Sequence, residues 1–496
     1  MASLNQILAL CRTGQTQKAY ELSKADLELG QSWAQLEMGW VLYYLIKEDS
    51  EENNFQGLIS HLEEFSTLEQ LSTSKDKILF DNILFKVAGF AKVHISPNDI
   101  GSPNKLSSIF SKLRGYSFEP SKGYSFLLQS FIKCDSWIGM ADFIDWWDLD
   151  KLTEEDYTPF RTDRGRTIMS VAEQAFIAQS KALLRLNDLG RIEEFLPQMD
   201  QLMEKHPEMT YPGYFYGKLL LSLGSNSEEA LKVIIPFARK KSTEFWVWQL
   251  LSDVFVNDVE KQLACLLRAV NCCTQENFLG KVRIKLATLY IQQQRLDFAK
   301  YQIDKVTQCY LSQGWRVPYE IDCWIHQPWI KTVTAIDQAP IDYMTITDGI
   351  LCEGTEETYA VVTGIDLKSR KVTLIYGYEK RISQKLRLNV GIGTTLKINY
   401  IIDSDGKIRI LSSSQSRLPD SLNYAKVVEG VVRKAKDKDF AFLKAEKKDI
   451  FVSPNIVRKY NIQHGENIKC LVAYDYNRKK ESWSWICVNI FNNINK

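Results

Sequence analysis

The hydrophobic period of this chain changes once, near residue 335, and that change bounds every fold open to it. Before it, apolar residues recur at three and four positions, as in Leu263, Leu266, Leu267 and Val270, or Ile284, Leu286, Ala287, Tyr290 and Ile291. That is the spacing of one buried helical face. After it come the short runs Tyr359-Ala360-Val361-Val362, Lys371 to Tyr376, Thr395 to Tyr400 and Lys407 to Leu411, separated by turn signals such as Asp403-Ser404-Asp405-Gly406. Short strands so closely spaced suit small barrels. The expected organisation is a helical region over 1–335, a first barrel over 345–415 and a second over 423–492. The serine-rich Ser412-Ser413-Ser414-Gln415-Ser416 is the expected linker between the barrels. Within the helical region the polar runs Lys47 to Asn54 and Ser96 to Pro103 read as loops.

Charge divides in the same place. From 345 onward 26 Lys and Arg stand against 17 Asp and Glu, leaving +9, whereas 36 against 44 before it leave −8. A basic C-terminal third suits phosphate backbones and an acidic helical part does not, so the two parts are expected to meet different partners. No apolar run approaches the roughly 20 residues of a membrane span, and no leader pattern opens the chain. The expectation is a cytoplasmic protein without a membrane partner. Ten scattered cysteines, none in a Cys-x-x-Cys pair, and five isolated histidines argue for reduced thiols and against a zinc site.

The helical part repeats itself. Phe195, Ala230, Ala264 and Ala299 occupy equivalent places in successive second helices, at spacings of 35, 34 and 35 residues. A period near 34 marks stacked helical hairpins, each burying a face that it cannot bury alone. The pattern resembles the tetratricopeptide repeat, with Leu251 and Phe255, and Leu286 and Tyr290, on that family's Leu and Tyr positions. The family's Gly is replaced by Ser252 and Ala287. The resemblance implies a solenoid that docks a protein.

The most chemically suggestive stretch is Lys438-Asp439-Phe440-Ala441-Phe442-Leu443, followed by Asp449-Ile450-Phe451-Val452-Ser453-Pro454. If both are strands, Lys438, Phe440, Phe442 and Lys444 share one face and Ala441, Leu443 and Ala445 the other. The small aliphatic face fits a barrel interior. Exposed rings beside cations are what a single-stranded nucleic acid needs, for stacking and for phosphates. The opposite register would turn the phenylalanines inward. Tyr474, Tyr476, Trp483 and Trp485, alternating on the last two strands, read either as more stacking surface or as packing.

These residues resemble the two ribonucleoprotein motifs of the cold-shock domain, an OB-type barrel, where the family has Lys-Gly-Phe-Gly-Phe-Ile and Val-Phe-Val-His. Gly430-Val431-Val432-Arg433 is similar to that family's first strand, and His464-Gly465-Glu466-Asn467-Ile468-Lys469 to the approach to its fourth. The family's strand-one Trp and Phe fall on Lys434 and Ala435, and its His on Ser453, which removes part of the usual platform. The first barrel, laid under the second, sets Val372-Thr373-Leu374 against Phe440-Ala441-Phe442 and resembles a diverged copy with a weaker stacking face.

Motifs of catalysis are missing. There is no phosphate-cradling Gly-x-x-x-x-Gly-Lys-Ser/Thr loop, no His-Glu-x-x-His and no Gly-x-Ser-x-Gly. The carboxylates at 142, 145, 148, 150 and 154–156 read as caps and solvated loops, with metal binding or acid–base work as the alternative. Arg161, Arg164 and Arg166 either pair with them or face a partner. No cofactor is expected.

Helical repeats followed by two cold-shock-like barrels are similar to the tetratricopeptide proteins of the prokaryotic conflict systems called TOTE. Trp147-Asp148-Leu149, Asp156-Tyr157 and Ala172-Glu173-Gln174-Ala175-Phe176 extend that likeness. The resemblance implies a defence role beside nucleic-acid-processing enzymes. The expected function is a non-catalytic adaptor whose barrels hold single-stranded RNA or DNA while the helices hold a protein. Phe440, Phe442 and Phe451 are the expected stackers, with Tyr474, Tyr476 and Trp483 in reserve. Arg433, Lys434, Lys438, Lys444 and Lys448 are the expected phosphate contacts. The alternative is a pure protein scaffold whose barrels bind protein as well.

Overall fold

The structure, a computed structural model, describes residues 4–31, 33–224, 227–386, 388–402, 406–420, 422–445, 448–477 and 481–491. Helices run from Leu4 to Cys352 and the two large sheets from Glu356 to Phe491, so the order is α then β. The turn residues 403–405 lie outside the described residues. The chain forms two compact units, 1–237 and 238–496. The division falls inside the helix Ser227–Lys240 and not at 335. Helices of the second unit pack among themselves and against its sheets: Arg268, 1% exposed, reaches Asp348 at 3.4 Å, and Arg239 donates to the carbonyls of Leu351 and Glu353 at the end of Tyr343–Cys352.

In the first unit the aromatic residues hold the helices together. Tyr124 and Trp147 stack at 4.5 Å and exchange hydrogen bonds, the phenol donating to the Trp147 carbonyl at 2.7 Å and the indole to the Tyr124 carbonyl at 3.1 Å. Buried rings are tolerated because both polar tips are satisfied. The polar run at 47–54 is not a loop. Ala34–Glu52 continues through it and ends at Asn53 in the left-handed conformation (φ 57), while the Asn54 side chain caps the next helix by accepting from Gly57 N at 3.1 Å. The charges survive there because Asp49, nearly buried, accepts from Asn54 Nδ2 at 2.7 Å and lies 2.6 Å from His61 Nδ1. A small hairpin, β1 (Phe160–Arg161) and β2 (Thr167–Ile168), is exposed on both strands. Arg161, Arg164 and Arg166 are exposed and join no ion pair among the described residues, so the first of the two readings given for them does not hold.

From Val171 the helices come in successive pairs: Val171–Leu186 with Leu189–Lys205, Pro212–Ser222 with Ser227–Lys240, Phe245–Val254 with Val259–Cys272, and Gly280–Gln292 with Leu296–Ser312. Phe195, Ala230, Ala264 and Ala299 are each buried in a second helix. The turns are specified locally. Asn187 (φ 53) ends one helix and Asp188 caps the next through Arg191 N at 3.2 Å; Asp258 does the same for Lys261 N at 3.1 Å.

The first sheet contains β3 (Glu356–Asp366), β4 (Lys371–Gly377), β5 (Lys380–Gln384), β6 (Thr395–Ile402) and β7 (Ile408–Gln415), in the order β5-β4-β3-β6-β7. It begins later than expected, since Tyr343–Cys352 is helix, and Ser412 to Gln415 belong to β7 rather than to a linker. Serine tolerates that strand because its neighbours pair it: Ser413 faces Ile398 and Ser412 Oγ donates to Asn399 Oδ1 at 3.1 Å. Among the described residues backbone pairing leaves the expected barrel open, with β5 and β7 as the edges of the sheet. One side chain spans that seam. Gln384 Nε2 donates to the Ile410 carbonyl at 3.0 Å, and the Ile410 N–H donates to Gln384 Oε1 at 3.1 Å. Its amide thus makes the two bonds a neighbouring peptide would make.

The second sheet is a closed barrel. β8 (Ala425–Arg433) pairs with β9 (Ala441–Ala445), β9 with β10 (Lys448–Val452), β10 in parallel with β12 (Ser482–Phe491), β12 with β11 (Asn467–Asn477), and β11 with β8. The two sheets are packed on each other through Val361 and Ile375 of the first, and Tyr424, Ala425, Leu471, Ala473 and Val488. Arg381 and Asp475 add an ion pair at 3.0 Å, and the Tyr424 phenol donates to the Tyr359 carbonyl at 2.8 Å.

Candidate nucleic-acid interface

The alternation of β9 sets the register of the site. Ala441, Leu443 and Ala445 are buried with Val428, Val432, Ile450 and Val452, which fill the barrel interior. Turning two phenylalanines into that space would overpack it, at about 1–3 kcal/mol or more. Phe440, just before β9, and Phe442 therefore lie on the outer side, half-buried, and Phe451 pairs directly with Phe442 across β9 and β10. The three rings form one cluster. Their centroids are 5.7–5.9 Å apart, with Phe440 and Phe442 edge-to-face at 90°.

Glycine shapes the approach to this face. A Cβ on Gly430 would lie 2.4 Å from the Lys444 carbonyl oxygen, so β8 can cross β9 this closely only without a side chain. Gly465 (φ 80) turns the chain so that its N–H reaches the Val432 carbonyl and the Val432 N–H reaches the Glu466 carbonyl, both at 2.8 Å. A groove of about 610 Å³ results, lined by Arg433, Lys434, Lys438, Phe440, Phe442 and His464. Arg433 is opposite Phe442 in register, and Lys438, Lys444 and Lys448 are exposed. Lys448 also places its ammonium 5.9 Å over the Trp485 ring.

The remaining predicted residues form a second group. Tyr474 stacks on Trp483 (6.0 Å, 22°) and on Tyr378 in the turn between β4 and β5 (4.8 Å, 12°), and Tyr476 meets Trp483 edge-on at 5.6 Å. A hydrogen bond with Tyr378 holds the Tyr474 phenol above its ordinary range. Tyr474 and Trp483 also pack against the cluster shared by the two sheets, so packing is part of their role. His464, which sequence reasoning left out of the site, lines the groove, and the Lys434 N–H lies 3.1 Å from its Nδ1. Its place beside Gly465 in the turn was the available signal. Tyr378 had none, because only the packing of the sheets brings it there.

Of the carboxylates at 142–156, Asp142, Asp145 and Asp156 hold structure. Asp156 Oδ2 accepts from Thr153 N, Thr153 Oγ1 and Ser125 Oγ at 2.8–2.9 Å in a capping box, and Asp142 and Asp145 both pair with Arg191, at 2.9 and 2.7 Å. Among the described residues no three His, Cys, Asp or Glu side chains converge as a metal site requires, and no helix is long and apolar enough to cross a membrane.

Numbered within the barrel, the closed order of the second sheet is 1-2-3-5-4 with strands three and five parallel, and the aromatic face belongs to strands two and three. That is an OB-type barrel of the cold-shock and S1 kind, a fold in which the strand two and three face binds oligonucleotides in some proteins and oligosaccharides in others. Residues 426–490 match the model for the S1/CSD-like domain 2 of the TOTE conflict systems. Residues 210–346 match a domain of unknown function, DUF7017. No curated protein matches the chain.

Proposed function

We propose that this chain is a non-catalytic adaptor that holds single-stranded nucleic acid on its second barrel. The observation that carries the reading is the cluster of Phe440, Phe442 and Phe451 on the outer face, bordered by Arg433, Lys434, Lys438 and Lys444. Such rings stack bases of any identity and the cations follow the backbone, so little sequence preference is expected. The match of 426–490 to a domain of conflict systems supports a defence setting. The paired, acidic helices are the part read as docking protein, in the manner of tetratricopeptide-like repeats. A cytoplasmic location fits this reading.

Fluorescence-anisotropy titration of the full chain tests it, using single-stranded RNA, single-stranded DNA and a duplex at several salt concentrations. Saturable binding to single strands that weakens steeply with salt is expected. No binding to any of the three would overturn the reading and favour a scaffold whose barrels bind protein.

A further inference from the structure

Beside the seam of the first sheet lies a pocket that the face on the second barrel does not use. About 210 Å³ in volume, it is bounded by the turn ahead of Phe245–Val254, the helix Tyr343–Cys352, the end of β5 and the strand β7. Gln384 and Ile410, whose hydrogen bonds bridge the seam, both line it. All of these elements belong to the second unit.

The groups left without partners in this pocket are donors. Arg409 uses only Nη1, on the Lys240 carbonyl at 3.4 Å, and joins no ion pair among the described residues. Lys385, which is exposed, joins none either. The hydroxyls of Ser242, Thr243 and Ser413 have no hydrogen-bond partner among the described residues, although Ser242 is only 7% exposed. A hydroxyl that close to burial ordinarily has one. The acceptors, in contrast, are taken. Gln384 Oε1 accepts from the Ile410 N–H, and Asp348, the one carboxylate among the described lining residues, faces the buried Arg268 at 3.4 Å. Arg409 and Lys385 are therefore two positive charges without a counter-charge.

A ligand that fits must bring negative charge and several acceptors on one centre. A carboxylate offers two oxygens in a plane, whereas a phosphoryl group offers three and carries up to two charges. A guanidinium meets two such oxygens in parallel, which leaves the third for an ammonium or a hydroxyl. We infer that this pocket binds a phosphate monoester. Arg409 and Lys385 offset its charge, and Ser242, Thr243 and Ser413 donate to its oxygens. The monoester comes from a free nucleotide or from the 5′ end of a nucleic-acid strand.

Calorimetric titration of the full chain with inorganic phosphate, at an ionic strength held constant by potassium chloride, tests the site beside the variants Arg409→Gln and Lys385→Gln. Saturable binding is expected, weakened by about tenfold in each variant. Lys385 is exposed, so that variant keeps the test open should Arg409→Gln fail to fold. No saturation by about 10 mM phosphate, or binding equal in wild type and both variants, would overturn the proposal. Two further arms separate the sources. Adenosine 5′-monophosphate binding more tightly than phosphate, by an advantage lost in Arg409→Gln and not shown by adenosine, indicates a free nucleotide. A 5′-phosphorylated single strand binding more tightly than its 5′-hydroxyl form, again by an advantage lost in Arg409→Gln, indicates a strand end. Only this last arm rests on the nucleic-acid reading, and its failure leaves the phosphate and nucleotide titrations as they are. If neither ester gains over inorganic phosphate, the pocket takes an adventitious ion only and the proposal fails.

Discussion

Replacing Phe442 and Phe451 by alanine, singly and together, isolates the stacking energy of the barrel face. Both rings are half-buried on the outer surface, while the interior under them is built from Ala441, Leu443, Ile450 and Val452. Each truncation is therefore expected to cost the fold only about 1 kcal/mol, readable by urea denaturation. A base stacked on a ring is worth about 1–3 kcal/mol, so each single variant should bind a single strand about 5- to 150-fold more weakly. The rings are 5.9 Å apart and tilted at 65°, close enough to support each other by about 0.5–1.5 kcal/mol. The double variant should then fall short of the product of the singles. The salt slope should not move, because no charge is removed. Anisotropy at fixed salt gives the cycle and a salt series gives the slope. A folded double variant that binds as tightly as wild type refutes the stacking argument.

Lys438→Ala or Lys444→Ala should each lower the slope of log K against log salt by about 0.7, the single-strand value per phosphate contact, with similar losses for all sequences. Gln384→Leu should destabilise the first sheet by about 1–3 kcal/mol in urea denaturation, since both backbone groups of Ile410 lose their partner across the seam; unchanged stability would show that the seam needs no bridge. Gly430→Ala should impair folding of the second barrel, detectable as lost near-ultraviolet circular dichroism, because its Cβ meets a backbone oxygen at 2.4 Å. A hydrogen bond with Cys470 and burial push the Cys487 thiol well above its ordinary range. The folded state keeps a proton that the unfolded chain loses, so this contribution is full below about pH 8.5 and declines as pH rises toward the folded value. Iodoacetamide at pH 8 should spare Cys487 in the native chain and label it in urea.

What the sequence revealed of this fold depended on how local the cause was. The period of 34 to 35 residues located Phe195, Ala230, Ala264 and Ala299 because each must be buried wherever its helix packs. The two-residue alternation of 440–445 left two registers, and the outward one is found because Ala441, Leu443 and Ala445 fit the interior. Non-local causes left no such mark. The serines of β7 look like a linker until Ile398 and Asn399 are set beside them, and Lys47 to Glu52 look like a loop until Asn54 and His61 are seen to hold Asp49. Tyr378 meets Tyr474 only because two sheets share a core, and strand β5, with Lys380 and Arg381 near its start, was too short and polar to stand out. The boundary at 237 was illegible because helices on both sides carry the same periodicity.

The most direct measurement is ultraviolet crosslinking of the full chain to a uniformly 4-thiouridine-labelled RNA, followed by peptide mapping. Adducts concentrated between 433 and 451, with Phe440, Phe442 or Phe451 among the modified residues, are the expected result. Adducts confined to other surfaces, or none under conditions that saturate binding, would contradict a nucleic-acid face on the second barrel.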